Sequence, residues 1–415
     1  MPWLMAATVF SPRQFRLGDG PAIAGVEEAS LNPIYKNIGE SIFARMSGLA
    51  VKHDAVNLGQ GFPDFGWPDA ILDAAAQAVK EKSNQYAPAP GLPELRQAVA
   101  DHYNRHFGQT LEASLICVTS GATEALASCI LATVTLGDEV IIFTPAYDSY
   151  APMIRRAGGI PVEIALQPSQ WRIEREALSA VITPKTRAIL FNNPQNPTGR
   201  LFDRQELQVV ADAAIEHDLV VIADEVWEHV LMDGQRFTPL ATLPGMAERT
   251  LKIGSAGKIF SLTGWKIGWI AGAPELAALV TKAHQFLTFS SAPNLQWAVA
   301  FGMAEGDAWI EPMQHRFARA RDRMIAALRA AGFFTLPAAS TYFLCVDLKA
   351  SGIAIGDLSF ASQAVEKAGI AVVPLSVFYE CNAPSHLVRL CFGKRDETID
   401  AGVAAMAKAR DLFTR

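Results

Sequence analysis

Short apolar runs alternate with amphipathic stretches from about Val56 onward in this 415-residue chain. The runs are too short for helices and most are rich in Val and Ile, so we expect buried strands. The five clearest runs are Val140–Phe143, Ala188–Phe191, Leu219–Ala223, Thr250–Ile253 and Gly268–Gly272. The stretches between them keep helical spacing, and one follows a predicted capping box formed by Asp203 and Glu206. Strand, helix and strand in succession indicate an α/β core with a largely parallel sheet.

The pattern changes near Gly306, where a long Arg-rich helix predicted over Ala308–Ala331 leads into a new set of strands. These strands are predicted at Tyr342–Asp347, Ala371–Pro374 and Leu387–Phe392. We therefore expect a smaller domain after the α/β core. The predicted division is a large domain over 60–305, a small domain formed by 31–59 and 306–415, and an N-terminal extension over 1–30.

Composition excludes several classes of protein. Half of the residues are hydrophobic and 19% are charged, so a large core is feasible. Acidic residues outnumber basic ones by 42 to 36, and this net charge of −6 argues against nucleic acid as a partner. No apolar run approaches the roughly 18 residues of a membrane span. Five scattered cysteines fit a reduced, cytoplasmic protein better than disulfides or a zinc site. For His102 and His106, an exposed helix face is a better interpretation than a metal site.

Two motifs place polar residues at the carboxyl ends of predicted strands, where open α/β sheets bind ligands. Phe191–Gly199 reads FNNPQNPTG, and Leu219–Val226 reads LVVIADEV, which ends in the carboxylates Asp224 and Glu225. A turn would also explain the first motif, and helix capping would explain one acid of the second. A carboxylate at a buried strand end becomes functional if it faces a cation.

A third motif, KIGSAGKIFSLTGWKIGW over 252–269, places Lys258 in a Ser/Gly-rich loop after a strand. One interpretation is a surface loop in which Lys258 and Lys266 are both solvated. Burial would instead lower the pKa of the Lys258 amine and make it nucleophilic toward a carbonyl. A metal site is not predicted in any of these motifs.

A fourth motif, VTSGATEA over 118–125, predicts a strand, a Ser-Gly turn and a helix from Thr123. A capped helix would explain it, but the same geometry presents amides and the positive end of the helix dipole to a phosphate. The four motifs together require a ligand with a phosphate, a carbonyl for Lys258 and a buried cation for Asp224. Pyridoxal phosphate supplies all three.

The chain resembles the fold-type I pyridoxal-phosphate aminotransferases of class I/II over about residues 31–412. Ten motifs occur in the family's order: GQGFPDF (59–65), NQYAP (84–88), SGATEAL (120–126), PAYDSYAP (145–152), NNPQNPTG (192–199), ADEV (223–226), SAGKIFSLTGWKIGW (255–269), HQFLTFS (284–290), STYFL (340–344) and LVRLCFGK (387–394). They are most similar to bacterial methionine aminotransferases and the related kynurenine/glutamine transaminases. The resemblance implies a large domain with a mainly parallel seven-stranded sheet between helices, plus a smaller α+β domain.

The resemblance also implies roles for individual residues. Lys258 would form a Schiff base with pyridoxal phosphate and then act as the base, and Asp224 would pair with the pyridinium nitrogen. The other cofactor contacts would come from Asn196 on the phenolic oxygen, Tyr147 stacked on the ring, and Gly121, Ala122, Thr123, Ser255 and Lys266 around the phosphate. Tyr86 would reach the phosphate of the neighbouring subunit, which implies a homodimer with shared active sites.

The implied substrate contacts point to an apolar side-chain pocket. Arg389 would bind the substrate α-carboxylate, assisted by Asn196 and the backbone at Gly61. Aspartate-type members use a partner arginine in the segment matching 284–293, and here HQFLTFSSAP contains none. Phe62 and Tyr147, with Phe289 of the partner subunit, would form the pocket. We therefore expect methionine, aromatic amino acids, glutamine or kynurenine as amino donors and a 2-oxo acid as acceptor.

One position departs from the family, which usually has Tyr where this chain has Trp227. Indole only donates hydrogen bonds and its N–H has a different reach, so we hypothesise that Asn196 alone, or a longer Trp contact, sets the pKa of the Schiff base. Three alternative functions stay open: a cysteine-S-conjugate β-lyase or dual enzyme, an aspartate-type aminotransferase, and a ligand-sensing module of a regulator. The last is disfavoured because only about 30 residues precede the resembling region and basic charge is low.

Overall fold

The computed structural model describes residues 32–36, 38–305 and 307–414. Contacts divide the chain into two units, Met1–Gly39 and Glu40–Arg415. The described part of the first unit holds one short helix, α1 (Pro33–Lys36). The predicted extension over 1–30 and Gly306 lie outside the described residues, and the predicted domain division stays a prediction. Within the part of the chain that the structure describes, no helix combines the length and the hydrophobicity that a membrane span requires.

The second unit contains the remaining helices and all of the strands of the described chain. Its helices are α2 (Ile42–Lys52), α3 (Asp69–Glu81), α4 (Pro93–Phe107), α5 (Gly121–Thr133), α6 (Tyr150–Arg156), α7 (Arg175–Ser179), α8 (Arg204–Glu216), α9 (Ala256–Ile259), α10 (Pro274–Leu287), α11 (Pro293–Ala304), α12 (Asp307–Ala330), α13 (Asp357–Ala368) and α14 (Asp396–Phe413). Its strands are β1 (Val56–Asn57), β2 (Ile116–Thr119), β3 (Glu139–Thr144), β4 (Ile160–Ala165), β5 (Thr186–Asn192), β6 (Val220–Asp224), β7 (Thr250–Ser255), β8 (Gly268–Ala271), β9 (Phe334–Thr335), β10 (Phe343–Asp347), β11 (Ile370–Ala371), β12 (Val373–Pro374) and β13 (Leu387–Cys391).

A seven-stranded sheet in the order β2-β8-β7-β6-β5-β3-β4 forms the centre of the fold. Strands β4, β3, β5, β6 and β7 are parallel, and β8 is antiparallel to both of its neighbours. Successive residues of a strand belong to different apolar clusters, since Ile222 packs into one cluster and Val221 into another. This alternation shows that both faces of the sheet are covered, as apolar parallel strands require. The predicted mainly parallel seven-stranded sheet is confirmed.

Two smaller sheets complete the fold. Strands β12-β13-β10-β9 form an antiparallel sheet, and β1 pairs with β11 in parallel. Arg389 lies on β13, between Cys345 of β10 and Val373 of β12. The predicted strand Ala371–Pro374 is divided between two of these sheets, so as a single strand that prediction is wrong.

The strand and helix predictions differ from the structure mainly at their ends. The strand predicted over Val140–Phe143 runs from Glu139 to Thr144, and the helix predicted from Thr123 begins two residues earlier, at Gly121. The capping box is confirmed, because Asp203 accepts from the Glu206 amide and Glu206 accepts from the Asp203 amide.

The prediction for His102 is wrong. Its ring is fully buried, and its Nε2 lies 2.7 Å from Nε2 of His229, which is 127 residues away in the chain.

Candidate active site

A cavity of about 530 Å³ lies at the carboxyl ends of β5, β6 and β7. Its size is within the range of small-molecule and cofactor sites. Twelve of the fifteen predicted site residues line it: Gly61, Gly121, Ala122, Thr123, Tyr147, Asn196, Asp224, Trp227, Ser255, Lys258, Lys266 and Arg389. The structure therefore brings together motifs that are separated by more than 300 residues of chain.

Lys258 reaches the cavity from α9, the single helical turn that follows β7. Its Nζ donates to the Tyr342 hydroxyl at 3.1 Å and lies 4.5 Å from the centre of the Trp227 ring. Burial lowers the pKa of Lys258 to about 8, and Asp224 opposes this shift. An amine with this pKa can release its proton near neutral pH and act as a nucleophile.

Asp224 is the last residue of β6, and its carboxylate is 5% exposed. The Tyr150 phenol donates to Oδ2 at 2.5 Å, and Oδ1 receives a 3.5 Å hydrogen bond from the Val226 amide. Burial raises the pKa of Asp224 above its usual value, although the Tyr150 hydroxyl and the charge of Lys258 oppose this shift. A carboxylate in this environment gains from a cation in the cavity.

The NNPQNPTG loop after β5 connects the two sides of the cavity. The side chain of Asn192 donates to the backbone carbonyl of Asp224 at 2.8 Å and accepts from the Asn196 amide at 2.9 Å. The side-chain oxygen of Asn196 in turn accepts from Nη1 of Arg389 at 2.9 Å. The side-chain NH₂ of Asn196 has no hydrogen-bond partner among the described residues and is a donor at the cavity wall.

Arg389 is a buried cation with incomplete hydrogen bonding. Only 1% of the residue is exposed, its Nη2 donates to the Gly59 carbonyl at 2.8 Å, and its Nε has no partner among the described residues. The guanidinium lies 3.9 Å from the centre of the Phe343 ring. Burial lowers the pKa of Arg389 to about 10, so it stays charged at neutral pH. An anion in the cavity would satisfy this group.

A second anion-binding surface lies at the amino end of α5. Ser120, the N-cap residue, makes no side-chain hydrogen bond to the first amides of this helix. A Cβ on Gly121 would lie 3.2 Å from Nζ of Lys266, and a Cβ on Gly268 would lie 2.9 Å from the Ala122 amide nitrogen. The absence of these Cβ atoms therefore keeps the amides open beside a cation. Lys266 forms no hydrogen bond or ion pair with any residue that the structure describes.

These groups fit pyridoxal phosphate. The amides of α5 with Ser255 and Lys266 suit a phosphate, since a helix amino end and a lysine both favour anions. Asp224 suits a protonated ring nitrogen, the half-buried Tyr147 offers an aromatic face, and Lys258 offers an amine to the aldehyde.

The other three predicted residues do not line the cavity of the single chain. Tyr86 is 83% exposed and forms an edge-to-face contact with Phe289, with 5.3 Å between the ring centres. Phe62 is 42% exposed, and its carbonyl accepts from Nζ of Lys394 at 2.8 Å.

The structure also brings residues to the site for which the sequence predicted no role. Tyr150 donates a hydrogen bond to Asp224, and Tyr342 accepts one from Lys258. Phe43 and Phe343 line the cavity. Tyr150 and Tyr342 both lie in motifs that the resemblance rests on, PAYDSYAP and STYFL. The sequence shows that each tyrosine lies within a motif, but the spacing of residues in the motif does not identify the group that its hydroxyl contacts.

Comparison with known proteins gives consistent matches over nearly the whole chain. The family model described as "Aminotransferase class I and II" matches residues 53–406. A probable N-succinyldiaminopimelate aminotransferase of Mycobacterium tuberculosis is 41% identical, over 88% of this chain and 95% of the relative. The methionine aminotransferase of Escherichia coli is 38% identical, over 90% of this chain and 96% of the relative.

The fold is similar as well. The structure of the N-succinyldiaminopimelate aminotransferase from Mycobacterium tuberculosis superimposes with a TM-score of 0.89 at 40% identity, covering 92% of this chain and all of that one. The chain therefore belongs to the class I and II aminotransferases and is an enzyme that transfers amino groups with pyridoxal phosphate as its cofactor.

Proposed function

We propose that the amino donor is an L-amino acid with an uncharged side chain, of the methionine, aromatic, glutamine or kynurenine type, and that a 2-oxo acid is the acceptor. One observation carries this proposal: Arg389 is the one arginine that lines the cavity among residues 32–36, 38–305 and 307–414. A guanidinium binds one carboxylate through two parallel hydrogen bonds. A second substrate carboxylate beside Phe43 or Phe343 would be buried without an arginine, which is costly.

The donor set suggests how the chain would act on its substrate. Bound pyridoxal phosphate supplies an aldehyde and an electron-withdrawing ring. Lys258 would hold and move the proton at Nζ, since its pKa of about 8 allows it to be base and acid near neutral pH. Asp224 would keep the ring nitrogen protonated, and a charge-assisted hydrogen bond of this kind contributes about 1.5–3 kcal/mol.

Other residues would orient the cofactor and the substrate. Ser255, Lys266 and the amides of residues 121–123 would bind the phosphate, and Tyr147 would stack on the ring. The side-chain NH₂ of Asn196 would donate to the phenolic oxygen. Trp227 would leave that oxygen without a phenol donor, since its indole packs edge-to-face on Tyr342 at 4.5 Å between ring centres.

We also propose a cytoplasmic homodimer in which the subunits share their active sites. Support comes from the exposed aromatic pair Tyr86 and Phe289, which lies outside the cavity of its own chain. Exposed aromatic side chains are typical of protein interfaces. Tyr86 of the partner subunit would reach the phosphate, and Phe289 of the partner subunit would close the side-chain pocket with Phe62. The scattered cysteines support a reducing compartment.

The substrate proposal is tested in the first half-reaction, without any acceptor. The purified holoenzyme is mixed separately with L-methionine, L-phenylalanine, L-aspartate and N-succinyl-LL-2,6-diaminopimelate, and the released oxo acid is quantified. We expect methionine or phenylalanine to react at least about tenfold faster than L-aspartate or the succinylated tricarboxylate, a difference of about 1.4 kcal/mol. Lys258→Ala is the inactive control. A fast half-reaction with aspartate or the succinylated substrate would contradict the proposed pocket. A cysteine S-conjugate is mixed with the enzyme in the same way, and release of pyruvate with ammonia would reveal β-elimination.

Shared sites are tested with hybrid dimers of two impaired variants, Lys258→Ala and Tyr86→Ala. In such a hybrid, the site that keeps Lys258 receives its Tyr86 from the other subunit. We expect mixed subunits to regain about half of the wild-type activity per hybrid dimer, while each variant alone stays impaired. Mixing without any gain would contradict a shared site.

A further inference from the structure

Tyr342 lies directly before β10, and its hydroxyl joins two parts of the cavity wall. The O–H donates to the Gly61 carbonyl at 2.7 Å, and the oxygen accepts from Nζ of Lys258 at 3.1 Å. The residue is 1% exposed, and burial raises the pKa of Tyr342 well above its usual value, so the phenol stays protonated. Because its single proton is used on Gly61, the phenol can only accept from the amine.

This contact is the one hydrogen bond of Lys258 Nζ within the part of the chain that the structure describes. On another side, the amine lies over the ring of Trp227 at 4.5 Å. That ring packs edge-to-face against Tyr342. The phenol and the indole therefore both contact the amine. Only the phenol accepts a hydrogen bond from it, and this fixes the direction of one N–H bond. An amine with one N–H fixed has fewer orientations for its lone pair.

Gly61, which accepts from Tyr342, lies two residues from a contact of Arg389, the group that we propose for the substrate carboxylate. The Gly59 carbonyl accepts from Nη2 of Arg389, two residues before the carbonyl that accepts from Tyr342. A Cβ on Gly61 would lie 2.8 Å from the Phe343 ring, so the segment packs flat against β10. The Gly59–Gly61 segment thus accepts one hydrogen bond from Arg389 and one from Tyr342, the partner of Lys258.

We propose that Tyr342 is a positioning residue that orients the ε-amine of Lys258 and ties it to the Gly59–Gly61 segment. The proposal rests on the role proposed above for Lys258. The phenol itself transfers no proton, because its O–H is held on the Gly61 carbonyl. Its effect is to accept an N–H from the amine, which favours the charged form over the neutral one.

The test compares Tyr342→Phe with the matched control Tyr379→Phe, which also removes one buried hydroxyl. The Tyr379 hydroxyl has no hydrogen-bond partner among the described residues. Cofactor-free protein is labelled with trace acetic anhydride between pH 6 and 11, and the peptide that contains Lys258 is quantified by mass spectrometry. The titratable groups that act on this amine, Asp224, Cys391, Arg389 and Lys266, are unchanged in both variants.

We expect Tyr342→Phe to lower the pKa of Lys258 by about 0.5–1 unit, the equivalent of one lost hydrogen bond. The control should leave the pKa unchanged. In the holoenzyme, kcat should fall about tenfold while KM changes less than about threefold, since Arg389 keeps its contacts. Superimposable labelling curves for Tyr342→Phe and wild type would overturn the proposal. If Tyr342→Phe does not fold, Tyr342→Met is measured in the same way.

The labelling separates this inference from the proposed function. It needs neither cofactor nor turnover, so it does not depend on which amino acid the enzyme uses. A wild-type pKa of about 10.5 for Lys258 would count against its proposed role, and the difference between wild type and Tyr342→Phe would still decide whether the contact with Tyr342 exists.

Discussion

Replacing Lys252 with methionine should destabilise the protein, because it leaves two buried carboxylates without their cation. Lys252 lies in β7 and is 2% exposed. Its Nζ is 2.5 Å from the Glu225 carboxylate and 2.6 Å from the Glu228 carboxylate, both fully buried. Burial alone would lower the pKa of Lys252, but the two carboxylates raise it above its usual value. Methionine keeps the length and apolar stem and removes the charge.

The expected loss of unfolding free energy is about 3–5 kcal/mol, the usual cost of removing one partner from a buried ion pair. A second route gives a similar magnitude. A proton bound by one of the two glutamates restores the net charge of the cluster, and protonating a carboxyl of ordinary pKa about 4.3 at pH 7 costs about 4 kcal/mol. Glu225 keeps the Leu240 amide and Glu228 keeps the Tyr103 hydroxyl as donors, so the carboxylates are not left bare.

The loss should depend on pH in a defined direction. In wild type, burial already raises the pKa of Glu228, and the charge of Lys252 opposes this shift. Without Lys252 the folded-state pKa rises further, so the folded variant binds more protons than the unfolded chain. Stability is then greatest below the unfolded value of about 4.3 and falls as pH rises toward the folded pKa, by about 1.4 kcal/mol per pH unit for each proton.

The assay is chemical denaturation at several pH values between 5 and 8, with the slope against denaturant checked for constancy. Lys408→Met, at an exposed position of α14, is the matched control and should change stability by less than about 0.5 kcal/mol. Adding Glu228→Gln to Lys252→Met removes one uncompensated charge and should recover more stability at pH 8 than at pH 5. A loss below about 1 kcal/mol that does not vary with pH would refute the reasoning.

Four further predictions concern the cavity. Asp224→Asn keeps the shape and removes the charge, so kcat should fall by at least about tenfold and pyridoxal phosphate should dissociate more readily, as measured by kinetics and cofactor titration. Arg389→Lys loses the two-pronged geometry, so KM for the amino donor should rise about 10- to 100-fold with a smaller change in kcat. The rate at which cofactor-free protein takes up pyridoxal phosphate should increase with pH around the Lys258 pKa of about 8, because only the neutral amine reacts; an increase centred near 10.5 would contradict this. Trp227→Tyr should shift the pH at which the absorbance of the bound cofactor changes, and superimposable titration curves would mean that the indole has no influence on that pKa.

The residues that the sequence could predict are those whose position in a strand or turn already indicates a role. Asp224 ends an apolar run, and Lys258 follows the next one, so parallel strands must bring both to one edge of the sheet. The Ser-Gly turn before α5 is predicted in the same way. In each case local pattern and sheet geometry suffice, because the side chain acts close to where its strand ends.

Other contacts depend on partners that periodicity does not reveal. The sequence predicts an exposed helix face for His102, but its partner His229 lies after β6, and the pair is buried. Lys252 was only the first residue of a motif, although the structure makes it the one buried cation between Glu225 and Glu228 within the described chain. Tyr342 meets Lys258 across 84 residues. Such contacts form when helices and sheets pack together, and helical or strand spacing alone does not determine them.

The buried Lys252 compensates the charge of one of two adjacent carboxylates, Asp224 and Glu225. Asp224, the last residue of β6, lines the cavity, whereas Glu225, the next residue, accepts from Nζ of Lys252 outside the cavity lining. The charge of Glu225 nevertheless raises the pKa of Asp224, to which burial already contributes most. Lys252 lies 2.5 Å from Glu225 and balances that charge. Losing Lys252 should therefore weaken the ionised state of Asp224 as well as the fold. Since the proposed role of Asp224 requires its charge, the loss of pyridoxal phosphate affinity between pH 8 and pH 6 should be larger in Lys252→Met than in wild type, measured at temperatures where both proteins are fully folded.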